Sequence, residues 1–350
     1  MDRNACRSMT YLVHSSHMPR IAINGFGRIG RNVLKIGLEK PGFDIIAIND
    51  LTDTKTLAQL LRHDTVYRAY AKEVTFDETH LIVDGKKILV CAEKDPTKLP
   101  WAELKIDVVL ECTGRFTNLE GASQHVTAGA KHVIISAPAK GPGVPTFVIG
   151  VNEKQAGKKE AVMNNASCTT NCITPVAAIL EEAFGIKKAM MTTVHSYTAS
   201  QVVQDAPAKD LREGRAAAEN IVPTTTGAAI ATTQVLPQLQ GLFDGLSIRV
   251  PTPVVSLSDF TLLLKRSVTV DEVNELFIKA AKSARWKGIL EVTKEPLVSS
   301  DFIGNSASAI VDLGLTKVVD GDLLKVVAWY DNEWGYSNRL AELALLVGAA

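Results

Sequence analysis

The chain has 350 residues, of which 46% are hydrophobic and 22% are charged, a composition typical of a globular protein with two domains. Lysine plus arginine and aspartate plus glutamate both number 38, and this neutral balance argues against a dedicated nucleic-acid binder, which normally has a basic excess. No apolar run is long enough for a membrane span, so we expect no membrane association. The five cysteines are scattered and do not resemble a disulfide framework, which predicts a reducing, cytoplasmic location.

Residues 1–17 do not fit the pattern that follows them. They lack the long apolar core of a secretory signal, and they contain two arginines, several serines and one acidic residue. We expect a disordered extension, or residues upstream of a natural start at Met18. An organelle-targeting segment is the alternative.

From Pro19 onward the sequence alternates between buried strands and helices. Short apolar runs predict strands, helical spacing predicts helices, and Asp84-Gly85 predicts the turn of a hairpin. The predicted strands are 20–24, 43–48, 107–111 and 132–136, the hairpin is 81–90, and the helices are 29–38, 54–63 and 119–128. This alternation predicts an α/β fold with a doubly wound parallel sheet.

The pattern changes after Cys168, where long β-rich runs are interleaved with helices. The runs are 189–198, 246–265 and 324–329, and the helices are 168–184, 225–236, 270–284 and, at the end, 334–347. Long strands with few helices between them predict a second, α+β domain with a mixed or antiparallel sheet. The polar stretch between Thr198 and Ile221 has no clear period, and we expect it to be functional or to pack against a partner.

Gly25, Gly27 and Gly30 form a glycine-rich turn that follows a predicted strand and opens a predicted helix. Asp50 lies about 20 residues further on, at the end of the next strand, which completes the context of a dinucleotide-binding motif. Glycines allow the backbone to approach a pyrophosphate, and Asp50 would accept hydrogen bonds from the ribose and repel a 2′-phosphate. The motif therefore predicts NAD rather than NADP, although Asp50 is alternatively a loop carboxylate or a cap.

Cys168 is predicted to lie in the first turn of a helix, with Ser167 as its N-cap. Unpaired N–H groups and the helix dipole at that point favour a thiolate, which is the reactive form of cysteine. The alternative is that Cys168 and Cys172 both fill the core, and for Cys172 we adopt that interpretation.

A nucleotide-binding domain followed by a reactive cysteine suggests covalent oxidation of an aldehyde through a thiohemiacetal and a thioester. This chemistry needs a base close to the sulfur. His195 lies at the end of a predicted strand, where site residues often collect. A structural histidine is the alternative, and the sequence alone does not place His195 against Cys168.

Several motifs resemble, in order and spacing, those of phosphorylating glyceraldehyde-3-phosphate dehydrogenases. They are INGFGRIGR, AIND, ECTGRFT, SAPAKG, NASCTTNC, TVHSYT, PTTTGAA, RVPTP and YDNEWGYSNR. The resemblance covers the chain from about Met18 to about Val347. It implies a Rossmann domain over 18–167, completed by a C-terminal helix in 333–350, and a catalytic domain over 168–332. It also implies a homotetramer in which the loop 199–221 contacts a neighbouring subunit near the cofactor.

The resemblance assigns roles to individual residues. It implies that Cys168 is the nucleophile and that His195 activates the thiol and polarises the substrate carbonyl. In addition to the three glycines, the resemblance implies seven NAD-binding residues. These are Arg28 and Ile29 at the pyrophosphate, Asp50 at the ribose, Lys94 near the adenine, Thr113 and Ser136 at other parts of the cofactor, and Asn332 at the nicotinamide carboxamide. Without the resemblance, Asn332 would be interpreted as a turn residue.

Two anion sites follow from the same resemblance, and no metal site does. Thr198 and Arg249 are implied to bind the substrate phosphate. Ser167, Thr169, Thr226 and Gly227 are implied to bind the attacking inorganic phosphate. Taken alone, Arg249 would more often be a solvated or ion-paired side chain, but the fixed backbone of Val250-Pro-Thr-Pro253 supports a positioned guanidinium.

Three positions depart from the family pattern. Val254 stands where many members have asparagine, and Ile230 where many have lysine, so substrate handling or subunit contacts could differ. Ala206 precedes Pro207 where strictly NAD-dependent bacterial members often have leucine. NAD preference therefore depends on Asp50.

The implied reaction is oxidation of D-glyceraldehyde 3-phosphate with NAD and phosphate to 1,3-bisphosphoglycerate, in glycolysis or gluconeogenesis. One alternative is erythrose-4-phosphate dehydrogenase, which shares the Cys/His pair but releases its acid by hydrolysis. Another is a non-catalytic, NAD-binding redox sensor in which Cys168 reacts with peroxide.

Overall fold

The computed structural model describes residues 18–157 and 159–349, and the extension predicted for residues 1–17 lies outside them. Within these residues the chain forms seven α-helices, which are α1 (Arg28–Gly37), α2 (Thr54–Arg62), α3 (Leu119–Thr127), α4 (Cys168–Phe184), α5 (Ala228–Val235), α6 (Val270–Lys282) and α7 (Trp334–Gly348). Each helix predicted from the sequence is present, with ends that differ by a few residues. In this part of the chain, no helix has both the length and the apolar character that crossing a membrane requires.

The described residues also form strands before and after α4. Before α4 lie β1 (Arg20–Asn24), β2 (Asp44–Asn49), β3 (His63–Asp64), β4 (Arg68–Ala69), β5 (Val74–Phe76), β6 (His80–Val83), β7 (Lys86–Cys91), β8 (Val108–Glu111), β9 (His132–Ile135) and β10 (Val162–Asn164). After α4 lie β11 (Ile186–Ser196), β12 (Val222–Thr225), β13 (Phe243–Val250), β14 (Ser256–Leu264), β15 (Leu290–Thr293), β16 (Ala309–Asp312), β17 (Lys317–Val319) and β18 (Leu323–Tyr330).

The first sheet has the strand order β10-β9-β8-β1-β2-β7-β6-β5. Neighbours from β10 to β7 are parallel, whereas β7, β6 and β5 pair in antiparallel fashion. Asp84 and Gly85 have φ angles of 46° and 79°, as a two-residue turn between β6 and β7 requires. The predicted doubly wound parallel sheet and its hairpin are confirmed.

The second sheet has the order β12-β13-β11-β14-β18-β16-β15, with β17 paired to β18. Strand β11 is parallel to β13 and antiparallel to β14, so the sheet is mixed, as predicted. The single run predicted over 246–265 is two strands, because Pro251 and Pro253 lack the N–H that a continuous ladder needs.

Helix α7 returns the end of the chain to the first sheet. It packs against α1, β8 and β9. The approach is close, because a Cβ added at Gly348 would lie 2.4 Å from Cβ of Pro19. A buried ion pair within the helix joins Arg339 to Glu342 at 2.7 Å. The residues between β18 and α7 therefore connect the second sheet to a helix that packs on the first.

A buried polar network lies at the carboxyl end of β8, around Glu111, which is 1% exposed. Its Oε1 accepts from the N–H and the hydroxyl of Thr113, and its Oε2 accepts from Asn24 Nδ2 (2.5 Å) and His125 Nε2 (3.1 Å). The indole N–H of Trp101 can only donate, and it bonds to His125 Nδ1 at 3.0 Å. The histidine therefore carries its hydrogen on Nε2, facing the carboxylate.

Replacing this carboxylate by an amide should destabilise the fold. We expect Glu111→Gln to lower the free energy of unfolding by about 2 kcal/mol, because the amide NH₂ would face donors that then lack an acceptor. Urea unfolding measures the loss, with Glu103→Gln at an exposed position as the matched control. Equal stability of the two variants would contradict this account of the network.

Candidate active site

The glycine-rich turn connects β1 to α1 and has two different spatial roles. Gly25 has φ 93°, and a Cβ there would lie 2.8 Å from Thr113 N. A Cβ at Gly30 would lie 2.1 Å from Gly25 O, whereas one at Gly27 would meet nothing within 4 Å. Gly25 and Gly30 are thus required by the protein's own packing. Gly27 keeps open space that a bound molecule can use.

A cleft of about 350 Å³ opens at this edge of the sheet, where β1 lies between β2 and β8. Five of the predicted cofactor residues line it, namely Gly25, Gly27, Asp50, Lys94 and Thr113. Asp50 is fixed at its rim, because Oδ2 accepts from Phe26 N (2.8 Å) and Oδ1 from Thr52 N (3.0 Å). Ser136 follows β9 at the same edge and donates its N–H to Glu111 O (2.9 Å), outside the lining of this cleft.

Arg28 begins α1, but its guanidinium is already held by protein groups. It bonds to Glu333 at 2.5 Å and to Asp64 at 2.6 Å, and it lies over the ring of Tyr67. Burial alone would lower its pKa, but the bonds and charges of these two carboxylates outweigh burial and raise it. An anion at the start of α1 would therefore bind the first backbone N–H groups of the helix, including that of Ile29, and not the Arg28 guanidinium.

Cys168 is the first residue of α4, and the predicted cap is confirmed. Ser167 Oγ accepts from Thr170 N at 3.0 Å. Ala166, just before the cap, has φ 55°, a left-handed conformation that turns the chain sharply into the helix. Cys172 is fully buried in the core, as its interpretation as core filler requires.

His195 lies at the end of β11 and reaches the cysteine. Its Nε2 is 3.4 Å from Cys168 Sγ. On the other side of the ring, Nδ1 is 2.7 Å from the carbonyl oxygen of Ser196. The fold thus brings together the two residues that the sequence could not join.

Strand register places a positively charged group beside this pair. His195 is opposite Arg249 in the parallel pairing of β11 with β13. Arg249 Nη1 lies 2.6 Å from His195 Nδ1. This contact requires a lone pair on Nδ1, whereas the contact with Ser196 O requires a hydrogen there. Only the tautomer with its hydrogen on Nδ1, directed at Ser196 O, leaves the Nε2 lone pair free to take a proton from Cys168.

Burial dominates the electrostatics of this pair. It raises the pKa of the Cys168 thiol, an effect partly opposed by the Arg249 charge and the Thr169 N–H and hydroxyl. Burial and the Arg249 charge lower the pKa of His195 to about 3. The sequence predicted a thiol that ionises more easily than usual, and this was wrong, because desolvation of the thiolate outweighs the favourable helix start.

The residues predicted to bind phosphates have different surroundings. Thr226 Oγ1 accepts from Ala228 N (3.2 Å) beside Gly227, the cap of α5. Thr198 bonds to Ser200 at 3.0 Å. Thr169 is 4% exposed and bonds through its hydroxyl to Tyr330 (2.9 Å), so its side chain meets the thiol from within the core. Arg249 has a buried Nε without a partner, which is a donor that an anion could satisfy.

Two serines that the sequence reasoning did not single out hold Asn332. Its Oδ1 is 3.1 Å from Ser196 Oγ and 3.2 Å from Ser256 Oγ. Tyr330, the last residue of β18, was also missed, and its ring packs edge-on against His195. No local signal distinguishes these residues, because buried hydroxyl groups in strands are common and their partners are far away in sequence.

The departures from the family pattern differ in their structural importance. Val254 is 3% exposed and packs in a core cluster with Phe302 and Ile310. Ile230 is 60% exposed on α5. Val254 is thus an apolar core residue in this chain, and Ile230 is available for a surface contact.

A dinucleotide cleft in the same chain as a half-buried cysteine in contact with a buried histidine defines a dehydrogenase that uses a thiol. Residues 19–119 match the family model of the glyceraldehyde 3-phosphate dehydrogenase NAD binding domain, and residues 167–332 match that of the C-terminal domain. The chain belongs to the glyceraldehyde 3-phosphate dehydrogenase family, and NAD is its cofactor.

Curated relatives support this membership over almost the whole chain. A glyceraldehyde-3-phosphate dehydrogenase of Geobacillus stearothermophilus is 52% identical over 331 residues, which is 94% of this chain and 98% of the relative. One from Streptomyces coelicolor has the same identity and coverage. Glyceraldehyde-3-phosphate dehydrogenase 1 of Bacillus subtilis is 50% identical over 329 residues, covering 94% and 98%.

The two glycine roles can be separated experimentally. Gly27→Ala should leave thermal unfolding close to that of the wild type but weaken NAD binding at least about fivefold, since overpacking by a methyl group costs about 1–3 kcal/mol. Gly30→Ala should instead lower the melting temperature. Calorimetry with and without NAD measures both effects. Wild-type NAD affinity in Gly27→Ala would show that the cofactor does not approach this backbone.

The influence of Arg249 on the thiol is also measurable. Removing its positive charge in Arg249→Gln should raise the pKa of Cys168 further, and each pKa unit lowers the thiolate fraction at neutral pH about tenfold. Alkylation of Cys168 by iodoacetamide should therefore slow at pH 7, with its pH profile shifted upward. Arg266→Gln, which removes an exposed arginine paired with Glu272, is the control. Identical profiles for both variants would exclude this role of Arg249.

Proposed function

We propose that this chain oxidises D-glyceraldehyde 3-phosphate with NAD and inorganic phosphate to 1,3-bisphosphoglycerate, the glycolytic reaction that gluconeogenesis reverses. The observation that carries the proposal is the 3.4 Å contact between Cys168 Sγ and His195 Nε2 at the start of α4. The identity of the substrate rests on family membership, since relatives about half identical to this chain are named for it.

His195 acts as the base that generates the nucleophile. With its hydrogen on Nδ1 and directed at Ser196 O, its Nε2 accepts the thiol proton of Cys168. The sulfur attacks the aldehyde carbon and forms a thiohemiacetal. The N–H groups at the start of α4 stabilise the developing oxyanion, and the protonated imidazole then donates its proton to that oxygen.

Oxidation and phosphate attack complete the reaction at Cys168. His195 withdraws the hydroxyl proton of the thiohemiacetal as its C–H bond breaks, which leaves a thioester. The hydride acceptor for this step would be supplied by NAD bound in the cleft. Inorganic phosphate then attacks the thioester carbon, and the sulfur of Cys168 leaves as the acyl phosphate forms.

Arg249 links substrate binding to this proton transfer. Its guanidinium lies 2.6 Å from His195 Nδ1, and a hydrogen bond donated there favours the tautomer that cannot act as base. The phosphate of the substrate satisfies the guanidinium, including the unpaired Nε, and draws it away from the ring. The Nδ1 hydrogen then bonds to Ser196 O, which leaves the Nε2 lone pair free to accept the thiol proton.

The remaining residues hold the cofactor and the two phosphates. Space over Gly27 and the carboxylate of Asp50 fit a dinucleotide in the cleft. The proposed cofactor residues are Gly25, Gly27, Arg28 and Ile29 through their backbone, Gly30, Asp50, Lys94, Thr113, Ser136 and Asn332. The substrate phosphate binds Thr198 and Arg249, and the attacking phosphate binds Ser167, Thr169, Thr226 and Gly227.

The organisation of the molecule follows the same proposal. The NAD-binding domain comprises 18–167 with the helix in 333–350, which is supported by the packing of α7 on α1, and the catalytic domain comprises 168–332. A homotetramer is supported by the loop 199–221, where Val203 and Leu211 are about 85% exposed. The free cysteines among the described residues support a cytoplasmic, reducing location.

The proposal is tested by removing the nucleophile. Cys168→Ser should abolish phosphate-dependent NADH formation while NAD affinity stays near that of the wild type, because the cleft lies on the other sheet. Cys91→Ala, a half-buried cysteine on β7, is the control and should remain active. Full activity of Cys168→Ser would refute the mechanism.

A steady-state assay of the wild type separates the alternatives. It combines glyceraldehyde 3-phosphate or erythrose 4-phosphate with NAD or NADP, each with and without inorganic phosphate. The proposal requires phosphate-dependent turnover of the first aldehyde with NAD. Phosphate-independent oxidation of erythrose 4-phosphate would favour the second dehydrogenase. Binding of NAD without turnover of either aldehyde would favour a redox sensor.

A further inference from the structure

Asn332 lies in a short segment whose backbone is fixed on both sides. Before it, Asp331 is 1% exposed and accepts from Tyr67 OH (2.8 Å), from Gly304 N (2.8 Å) and from the first N–H groups at α7. After it, Glu333 binds the guanidinium of Arg28 at the start of α1. The position of the Asn332 backbone is therefore set by contacts with both parts of the molecule.

The side chain of Asn332 is fixed as well, by two buried hydroxyl groups. Ser196 and Ser256 are 0% and 2% exposed, and each places Oγ within 3.2 Å of Asn332 Oδ1. Ser256 Oγ also accepts from the backbone N–H of Ser196 (3.1 Å), so its own hydrogen is free for the asparagine. Both hydroxyl groups thus donate to the same oxygen.

This arrangement determines which end of the amide is available. Rotating the amide by half a turn would leave both serine hydrogens without an acceptor in the protein interior, which is unfavourable. In the unrotated form, Nδ2 makes no hydrogen bond to any residue in 18–157 or 159–349. A side chain that is 6% exposed thus keeps two hydrogens unpaired for a ligand.

We propose that Ser196 and Ser256 are positioning residues that fix the amide of Asn332 with Nδ2 as a donor for the nicotinamide carboxamide oxygen. This inference rests on the proposed role of Asn332. The two serines do not touch the cofactor. They act by preventing rotation of the Asn332 amide. A rotated amide would place Oδ1 against the carboxamide oxygen of the nicotinamide, and two acceptors would then face each other. Ser196 also carries the carbonyl that accepts from His195, so one residue orients both the base and the cofactor-binding amide.

The experiment compares binding of NAD with binding of ADP-ribose, which lacks the nicotinamide. In Ser196→Ala/Ser256→Ala, titration calorimetry should give NAD affinity reduced about tenfold, the usual scale for one lost hydrogen bond, with ADP-ribose affinity within about twofold of wild type. Ser258→Ala is the matched control, because Ser258 is equally buried on β14 and does not bond to Asn332. This control should bind both ligands normally.

Three outcomes would overturn the inference. Unchanged NAD affinity in the double variant would show that the serines are not needed to orient the amide. An equal loss for NAD and ADP-ribose would indicate only structural damage. Asn332→Asp, which keeps an acceptor for the serines but removes the donor, tests the assignment of Asn332 itself. If Asn332→Asp binds NAD like the wild type, the proposed role of Asn332 and the inference both fail. If Asn332→Asp loses NAD affinity but the double serine variant does not, only the inference is refuted.

The chemistry adds a further readout. With deuterium on the aldehyde carbon, the wild type should label one face of the nicotinamide ring, and the double serine variant should label both faces more evenly. Ser258→Ala should keep the wild-type selectivity. Full face selectivity in the double variant would contradict a role in orienting the carboxamide.

Discussion

The register of β13, β11, β14 and β18 is the constraint on which the site depends. It places His195 beside Arg249 through the pairing of β11 with β13, and Ser256 beside Tyr330 through the pairing of β14 with β18. Side chains alternate between the two faces of a sheet, so a slip of one residue would turn any of these groups to the opposite face. The buried face of the sheet therefore specifies the catalytic geometry as well as the core.

The segment that connects the two sheets is the second structural constraint on the site. The segment from Asp331 to Trp334 follows β18 of the second sheet and starts the helix that packs on the first. Its two acidic residues bind groups from both parts, Gly304 and Tyr67 for Asp331 and Arg28 for Glu333. Asn332, between them, is thus placed relative to the cleft and to the cysteine by the same few bonds.

Electrostatics in the site are governed by desolvation. Burial favours the uncharged forms of Cys168 and His195, and Arg249 adds a positive charge that further lowers the pKa of the histidine. Both groups are therefore mainly uncharged at neutral pH. The buried Nε of Arg249 has no partner among the described residues, so this guanidinium can still bind an anion.

The sequence by itself determined those features whose causes are local. The glycines of the turn after β1, the Asp84-Gly85 hairpin and the Ser167 cap each follow from conformational or hydrogen-bonding needs within a few residues, and all are present as predicted. Fold class followed from the change in hydrophobic period along the chain. The motifs also located Cys168, His195 and Asn332, but only as positions in a sequence.

The tertiary structure decided how those positions meet. The contact of His195 with Cys168, the approach of Arg249 and the bonds of two serines to Asn332 join residues that are between 27 and 136 positions apart. It also reversed the expected pKa shift of Cys168, because a helix start is visible in the sequence whereas the depth of burial is not. Local sequence sets backbone conformation, but distance, desolvation and the direction of a side chain depend on packing between distant segments, which no local pattern encodes.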